Sequence, residues 1–179
     1  MIILILGVAL WWAAHLSKRW APGLRARLGK GGVAGLLALS VLLMILGYRL
    51  ADGPYWWGAT VPLKGANNLL VLAGFYLYAA SGMRTRATRL VRHPQLTGFS
   101  LWAFGHLLPN GDLPSFVLFG GLLGWALVEM AVLNRAQDWT PPAGPFPLSR
   151  EIMAAIGAVV VLLVVGLIHA WLGYNPFGG

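Results

Sequence analysis

The sequence predicts an all-α membrane protein, a six-helix transmembrane bundle formed by a single domain over residues 1–179. Of the 179 residues, 58% are hydrophobic and only 10% are charged. A soluble domain carries about 25% charged residues, so the composition excludes an ordinary water-soluble fold. The charged residues also fall in short clusters between long apolar runs, which is typical of a chain that crosses a membrane several times.

Each of six apolar segments is predicted to form one transmembrane helix. The segments are residues 1–17, 32–50, 66–82, 95–108, 113–133 and 152–173. A helix needs about 20 residues to cross the hydrocarbon core of a bilayer, so the fourth segment is short for a span. Its end runs into the sequence LLPNGDLPS. Proline, asparagine, glycine and aspartate in such a cluster predict a tight turn between antiparallel helices.

The basic residues predict the orientation of the chain in the membrane. Of the 13 lysines and arginines, all but Arg49 and Lys64 lie in the stretches that follow the first, third and fifth segments. Positively charged loops stay in the cytoplasm, so we expect both termini on the periplasmic side of a bacterial inner membrane. These loops also account for the net charge of +8, so we predict the lipid bilayer as a partner and no nucleic acid.

Two histidines, His15 and His106, fall inside apolar segments at similar predicted depths. With a rise of about 1.5 Å per residue, His15 lies about 21 Å from the outer end of the first segment and His106 about 16 Å from Gln95. If the two segments are neighbours, two neutral imidazoles at this depth favour the iron of a haem between them. The alternative is that each histidine donates a hydrogen bond to a neighbouring helix. Zinc is disfavoured, because the chain has no cysteine and no further ligand clusters at that depth.

Three more candidates lie at the predicted cytoplasmic end. Arg92 and His93 stand at the start of the fourth segment, where a cluster of cations suits an anionic head group or a phosphate. The alternative is an ordinary basic flank of a membrane helix. Glu129 lies late in the fifth segment, and a carboxylate in such a segment is costly unless it is paired or functional. We expect Glu129 to form an ion pair with Arg135 or with the arginines of residues 84–92, or to reach the interface.

The stretch RHPQLTGFSLWAFGHLLPNGD, preceded by WWAAHLSKRW and PGLRARLG, resembles the NnrU family of bacterial membrane proteins. The similarity spans essentially the whole chain, and the combination of RHP, LW, HL and NGD is more specific than RHP alone. The resemblance implies a role in denitrification, in the handling of nitrite and nitric oxide. It also adds Asn110 and Asp112, from the NGD motif, to the candidate site residues.

Two distant similarities extend what the resemblance implies. Zeta-carotene isomerases share an NnrU-like domain and bind haem b through histidines whose positions match His15 and His106. The similarity therefore implies that these two histidines are axial ligands of a haem b iron here. Isoprenylcysteine-type methyltransferases use an RHP segment near S-adenosylmethionine, which matches Arg92 and His93 and gives a second hypothesis. The tyrosine common after that RHP is absent, and the downstream stretch offers only Glu129, so methyl transfer is the weaker hypothesis.

A third hypothesis needs no cofactor. The chain would then be a non-enzymatic assembly factor for a respiratory or nitric oxide-handling membrane complex. The glycine-rich sequence FGGLLGW in the fifth segment suits such helix packing, since small residues let helices approach closely in a membrane. Co-purification with a partner would distinguish this hypothesis from the two cofactor hypotheses.

Overall fold

The computed structural model describes residues 1–178, which are helical apart from loops and one short two-stranded ribbon. The helices are α1 (Ile2–Trp20), α2 (Pro22–Leu50), α3 (Val61–Met83), α4 (Ala87–Leu90), α5 (Pro94–Leu107), α6 (Leu113–Ser115), α7 (Gly121–Ala136) and α8 (Leu148–Trp171). A π-helical turn, Phe116–Gly120, joins α6 to α7 without a break. The ribbon pairs β1 (Tyr55–Trp57) with β2 (Gly111–Asp112) in antiparallel fashion. All six predicted apolar segments are therefore helical.

Four helices are long and apolar enough to cross a membrane. They are α1, α2, the continuous helix Leu113–Ala136, and α8. The prediction of a helical membrane protein is confirmed to this extent. The fourth predicted segment corresponds to α5, which has 14 residues and is shorter than the lower limit of about 17 for a span. The count of six spans and the side on which the termini lie stay predictions.

The structure differs from the predicted boundaries most clearly at α2, which begins at Pro22 instead of residue 32. Proline suits the first turn of a helix, because its missing N–H has no partner there in any case. The helix kinks at Gly29, whose φ of 63° is a conformation that glycine adopts at little cost. Arg25 in the short piece before the kink donates from Nη1 to the carbonyl of Ala14 at 3.2 Å. The sequence LGKGG, which we read as a loop, is therefore a kink inside a helix.

The helices pack as two groups that meet in the middle of the bundle. α1 packs along α2, while α3 packs against both α5 and α8, and α5 also contacts α7. The crossing of α3 and α5 is close because Gly74 and Gly98 face each other. A Cβ added at Gly98 would lie 2.6 Å from the carbonyl oxygen of Gly74, which is too near for any side chain. Small residues at helix contacts are typical of membrane bundles.

The two ends of the bundle differ in composition. At one end the arginine-rich segments meet: the Arg92 side chain donates to the carbonyl of Gln137, and Arg150 Nη1 donates to the carbonyl of Met83. At the other end lie the ribbon and the C-terminal tail, held in part by a hydrogen bond from Trp57 Nε1 to the carbonyl of Leu108 at 2.8 Å. We call these the cationic end and the ribbon end.

Candidate functional site

A cavity of about 550 Å³ lies inside the bundle, in the half that leads to the ribbon end. Every helix longer than a few turns contributes to its wall. The aromatic part of the wall is formed by Trp11, Phe75, Phe99, Trp102 and Phe119. The polar part is formed by Tyr48, Arg49, Asn67, Asn68, His106 and His169. Ligand sites in proteins have volumes of about 300–1,000 Å³ and mostly apolar walls with a few polar groups, so this cavity has the make-up of one.

The cavity is bordered by α2 on one side and by α8 on another. Ile45 of α2 and Val165 of α8 both line it. α2 packs mainly on α1 and α8 mainly on α3, so within residues 1–178 these two helices do not form a packed pair. Ile45 is 51% exposed, so this part of the cavity wall is only partly covered by other side chains.

His106 lies on the wall of this cavity. Its Nδ1–H donates to the carbonyl of Trp102, four residues earlier, at 2.8 Å. Its ring stacks on Phe119, with centroids 4.8 Å apart. Asn110 Nδ2 donates to the carbonyl of His106 at 2.7 Å and so fixes the end of the helix that carries the ring. Since the carbonyl of Trp102 can only accept, the proton is on Nδ1 and the lone pair is on Nε2.

His15 makes the same local hydrogen bond in different surroundings. Its Nδ1–H donates to the carbonyl of Trp11 at 3.0 Å. Its ring packs between the rings of Trp11 and Trp125, with centroids 4.3 Å and 4.5 Å away. Trp11 lines the cavity, but His15 is not among the lining residues. The indole of Trp11 therefore separates His15 from the cavity.

The two predicted haem ligands are connected only through a series of aromatic contacts. Trp11 contacts Phe99 at a centroid distance of 6.2 Å, and Phe99 contacts Trp102 at 5.1 Å. Trp102 then contacts His106 at 5.1 Å. The helical rise gave the two histidines similar depths, but depth contains no information on which side chains lie between two helices. Their joint ligation of one iron stays a prediction.

Asn67 lines the cavity and carries an unpaired polar atom. The residue is only 9% exposed, and its Oδ1 has no hydrogen-bond partner among residues 1–178. This oxygen lies at the contact between α3 and α5, since a Cβ added at Gly105 would be 2.8 Å from it. The cap of α3 is Thr60, whose hydroxyl accepts from the N–H of Leu63 at 3.5 Å.

Further unpaired polar atoms surround the His15 region. The indole Nε1 atoms of Trp11 and Trp125 and the Oε2 atom of Glu129 are buried and have no hydrogen-bond partner within residues 1–178. Glu129 follows Trp125 by one helical turn on α7. The expected pairing of this buried oxygen with an arginine is absent from the described residues. The side chain of Arg92 instead donates to the carbonyl of Gln137 at the cationic end.

Arg92 and His93 have structural partners at the cationic end and do not line the cavity. The Arg92 side chain donates to the carbonyl of Gln137, and His93 Nε2–H donates to Oδ1 of Asn134 at 2.9 Å. Both bonds tie the start of α5 to the end of α7. The structure therefore brings these two candidates together with each other but not with His106.

Asp112 acts as a cap. Its Oδ1 accepts from the N–H of Ser115 at 2.8 Å, and its Oδ2 accepts from the hydroxyl of Ser115 at 2.9 Å. The same hydroxyl contacts Tyr48 Oη at 2.8 Å, which links the turn to α2. Together with Asn110, Asp112 therefore shapes the turn that follows His106. The NGD motif therefore has a structural role: Asn110 binds the end of α5 and Asp112 caps the start of α6.

Sequence reasoning did not include His169 among the candidate site residues. His169 lines the cavity together with Leu162, Val165 and Gly166. These residues follow the spacing of one helical face, at positions i, i+3, i+4 and i+7. That spacing was the signal in the sequence, because it aligns the ring with the inner face of α8.

The comparison with known proteins bears on the whole chain. The family model described as NnrU protein matches residues 3–176. The chain belongs to the NnrU family. Searches of curated proteins and of solved structures find no significant match.

In this NnrU-family protein, the stretch that carries the resemblance reaches from one end of the bundle to the other. Arg92 and His93 fix its beginning at the cationic end, His106 lies on the cavity wall, and Asp112 caps the turn at the ribbon end. Of these parts, only His106 combines an available nitrogen lone pair with access to a cavity. We therefore take the cavity with His106 as the candidate functional site.

Proposed function

We propose that this NnrU-family membrane protein binds haem b in the cavity and that His106 is a ligand of the haem iron. The observation that carries the proposal is a neutral imidazole whose Nε2 lone pair is free on the wall of an aromatic-lined cavity. Metal-ligating histidines almost always donate their other ring N–H to a carbonyl, carboxylate or water, as His106 does to Trp102. The surrounding apolar wall suits the faces of a macrocycle.

The donor set fits haem at His106 better than it fits the pair predicted from sequence. His15 reaches the cavity only if the ring of Trp11 moves, since that indole lies in contact with His15 at 4.3 Å and itself lines the cavity. Gly98, on the same helix as His106, packs on the backbone of Gly74 and leaves no room for a ligand there. The proposal therefore rests on His106, and ligation by His15 is its weaker half.

The proposed physiological role is the handling of nitrite or nitric oxide in denitrification, in contact with a respiratory or nitric oxide-handling membrane complex. Haem iron would supply a centre that exchanges electrons and binds small ligands such as nitric oxide. What this chain supplies is the hydrogen bond that fixes the ring of His106 and an apolar environment around it. The methyltransferase hypothesis gains no support from the site, because Arg92 and His93 are occupied by Gln137 and Asn134.

The test of haem binding is an optical spectrum of the full-length protein, purified in detergent after expression with added haem precursor. We expect a Soret band for the wild type and its loss, or a strong decrease, in His106→Ala. His93→Ala is the matched control, since it removes a histidine that lies outside the cavity, and it should retain the band. A wild-type protein that elutes as a monodisperse peak without a Soret band would contradict the proposal.

We also propose that all six long helical segments lie in the bacterial inner membrane, with both termini on the periplasmic side. The proposal is supported by the position of the arginine-rich stretches at one common end of the bundle. Because the chain has no cysteine, single cysteines report their side cleanly. A membrane-impermeant thiol reagent should label Asp52→Cys in intact spheroplasts and Ala143→Cys only after lysis. The reverse pattern would show the opposite orientation.

A further inference from the structure

His169 reaches the same cavity as His106 from a different helix. His169 lies near the end of α8 and His106 near the end of α5, and both side chains line the cavity. α5 and α8 each pack on α3 rather than on each other, so the cavity occupies the space that α3 leaves between them. Two imidazoles therefore face one cavity from two separate helices.

The two imidazoles have the same protonation. His169 Nδ1–H donates to the carbonyl of Val165 at 2.8 Å, as His106 Nδ1–H donates to the carbonyl of Trp102 at 2.8 Å. Each ring therefore has its lone pair on Nε2. Two imidazole nitrogens that face one cavity suit a ligand that carries a metal ion.

Arg49 completes the set at the mouth of the cavity. It is the only cationic side chain among the described residues that line the cavity, and it lies at the end of α2 where the side chain is exposed. Haem b carries two propionate carboxylates, and arginine binds carboxylates through charge-assisted, often bidentate hydrogen bonds. A ligand with a metal centre, flat apolar faces and an anionic edge matches these groups.

We infer that His169 is the second axial ligand of the proposed haem, so that the macrocycle lies between α5 and α8 and not between α1 and α5. The inference rests on the proposed function, and it assigns to His169 the role that the resemblance assigned to His15. Bis-imidazole iron is six-coordinate, and the exposed position of His169 on α8 makes it the ligand that is easier to displace.

The experiment compares His169→Ala, His15→Ala and the control His93→Ala by the optical and electron paramagnetic resonance spectra of the haem-loaded proteins. The wild type should give the low-spin spectrum of bis-imidazole iron. His169→Ala should retain a Soret band but lose the low-spin signal, and added free imidazole should restore that signal. Haem dissociation should accelerate about tenfold or more, since the loss of a second-shell partner alone weakens metal binding about 10–100-fold. His15→Ala and His93→Ala should keep the wild-type spectrum.

His169→Met is a second variant that keeps an iron ligand at the same position. It should give a low-spin spectrum that differs from the wild type, as histidine–methionine iron does in c-type cytochromes. If His15→Ala loses the low-spin signal while His169→Ala retains it, the inference is wrong and the haem proposal stands. If the wild type binds no haem, both are wrong. If the wild type is high-spin, His106 alone ligates the iron and the inference is again wrong.

Discussion

His15 and His106 have the same local chemistry in opposite surroundings. Each donates Nδ1–H to the carbonyl of a tryptophan four residues earlier. His15 contacts the rings of Trp11 and Trp125, which fill the space beside it, whereas His106 has Phe119 on one side and a cavity of about 550 Å³ beside it. We call these the closed region and the open region.

The difference arises from neighbouring helices, because the two histidine helices themselves are alike. In the closed region α7 contributes the large indole of Trp125, which contacts Trp11, His15 and Phe99. In the open region α8 contributes Gly166, whose missing side chain leaves room for the ring of Phe177, and a cavity remains beside His106. An intramembrane histidine is therefore a candidate ligand only when the side chains opposite it leave space. The following four predictions test how firmly each region is built.

The largest effect is expected from Trp125→Ala, which removes the centre of the closed region. Trp125 is 5% exposed, and its ring contacts three other rings. Replacing a buried tryptophan by alanine costs about 3–5 kcal/mol of stability. In a membrane the part of this cost that comes from lost packing remains, whereas the part that comes from transfer out of water is smaller, because lipid tails also solvate apolar surface. We expect a decrease of about 3 kcal/mol in the free energy of unfolding. This change in unfolding free energy is measured by following the helical circular dichroism signal as denaturant is added to the protein in mixed micelles.

The control for Trp125→Ala is Trp171→Ala, which removes an indole that is 84% exposed. This variant should change the unfolding free energy by no more than about 0.5 kcal/mol, as for most surface substitutions. Equal effects of the two substitutions would show that the closed region is not packed around Trp125.

Gly74→Ala is expected to separate the helices on which the open region depends. The new Cβ would lie 2.7 Å from the backbone oxygen of Gly98, and a backbone atom cannot move aside as a side chain can. Overpacking of this kind costs about 1–3 kcal/mol. The measurement is the midpoint of unfolding together with the Soret intensity of the haem-loaded protein, because α5 carries His106.

Gly65→Ala is the matched control on the same helix. A Cβ at Gly65 has no atom within 4 Å, so no steric cost arises. Alanine is favoured over glycine inside a helix by about 0.5–1 kcal/mol, so this substitution should stabilise slightly. Destabilisation by both substitutions would argue against the close approach of α3 and α5.

The helices could be predicted well because the patterns of hydropathy and charge are properties of consecutive residues. The apolar segments and the turn after His106 follow from local pattern. The position of His169 on the cavity wall, the contact of Asn67 with α5 and the packing of Trp11 on His15 depend on which helices are neighbours. Helix–helix contacts in membranes lack a strong periodic signature, since lipid and protein interior are equally apolar. The site was therefore predicted only in the part that one helix carries.

Asp112→Ala should destabilise the turn at the ribbon end by about 1–2 kcal/mol, the usual cost of removing an N-terminal cap. The substitution removes two hydrogen bonds to Ser115, which is completely buried and holds Tyr48. Thermal unfolding measures the change. Asp52→Ala is the control, because Asp52 is exposed and its side chain makes no hydrogen bond within the described residues. A loss of the same size in both variants would mean that net charge, not the cap, is responsible.

The smallest effect is expected from two adjacent tryptophans, and it compares the regions most directly. Trp12 Nε1 donates to the carbonyl of Gly121 at 2.9 Å, whereas Nε1 of Trp11 is buried without a partner among residues 1–178. Replacement by phenylalanine removes the N–H in both cases, and it removes the same ring volume from each tryptophan. Trp12→Phe should therefore be less stable than Trp11→Phe by about 1 kcal/mol, the net value of one hydrogen bond. If Trp11→Phe is the less stable variant, its N–H has a partner in the working protein, such as a water or a bound ligand. Since Trp11 lines the cavity, that result would show that its N–H takes part in the contacts of the open region.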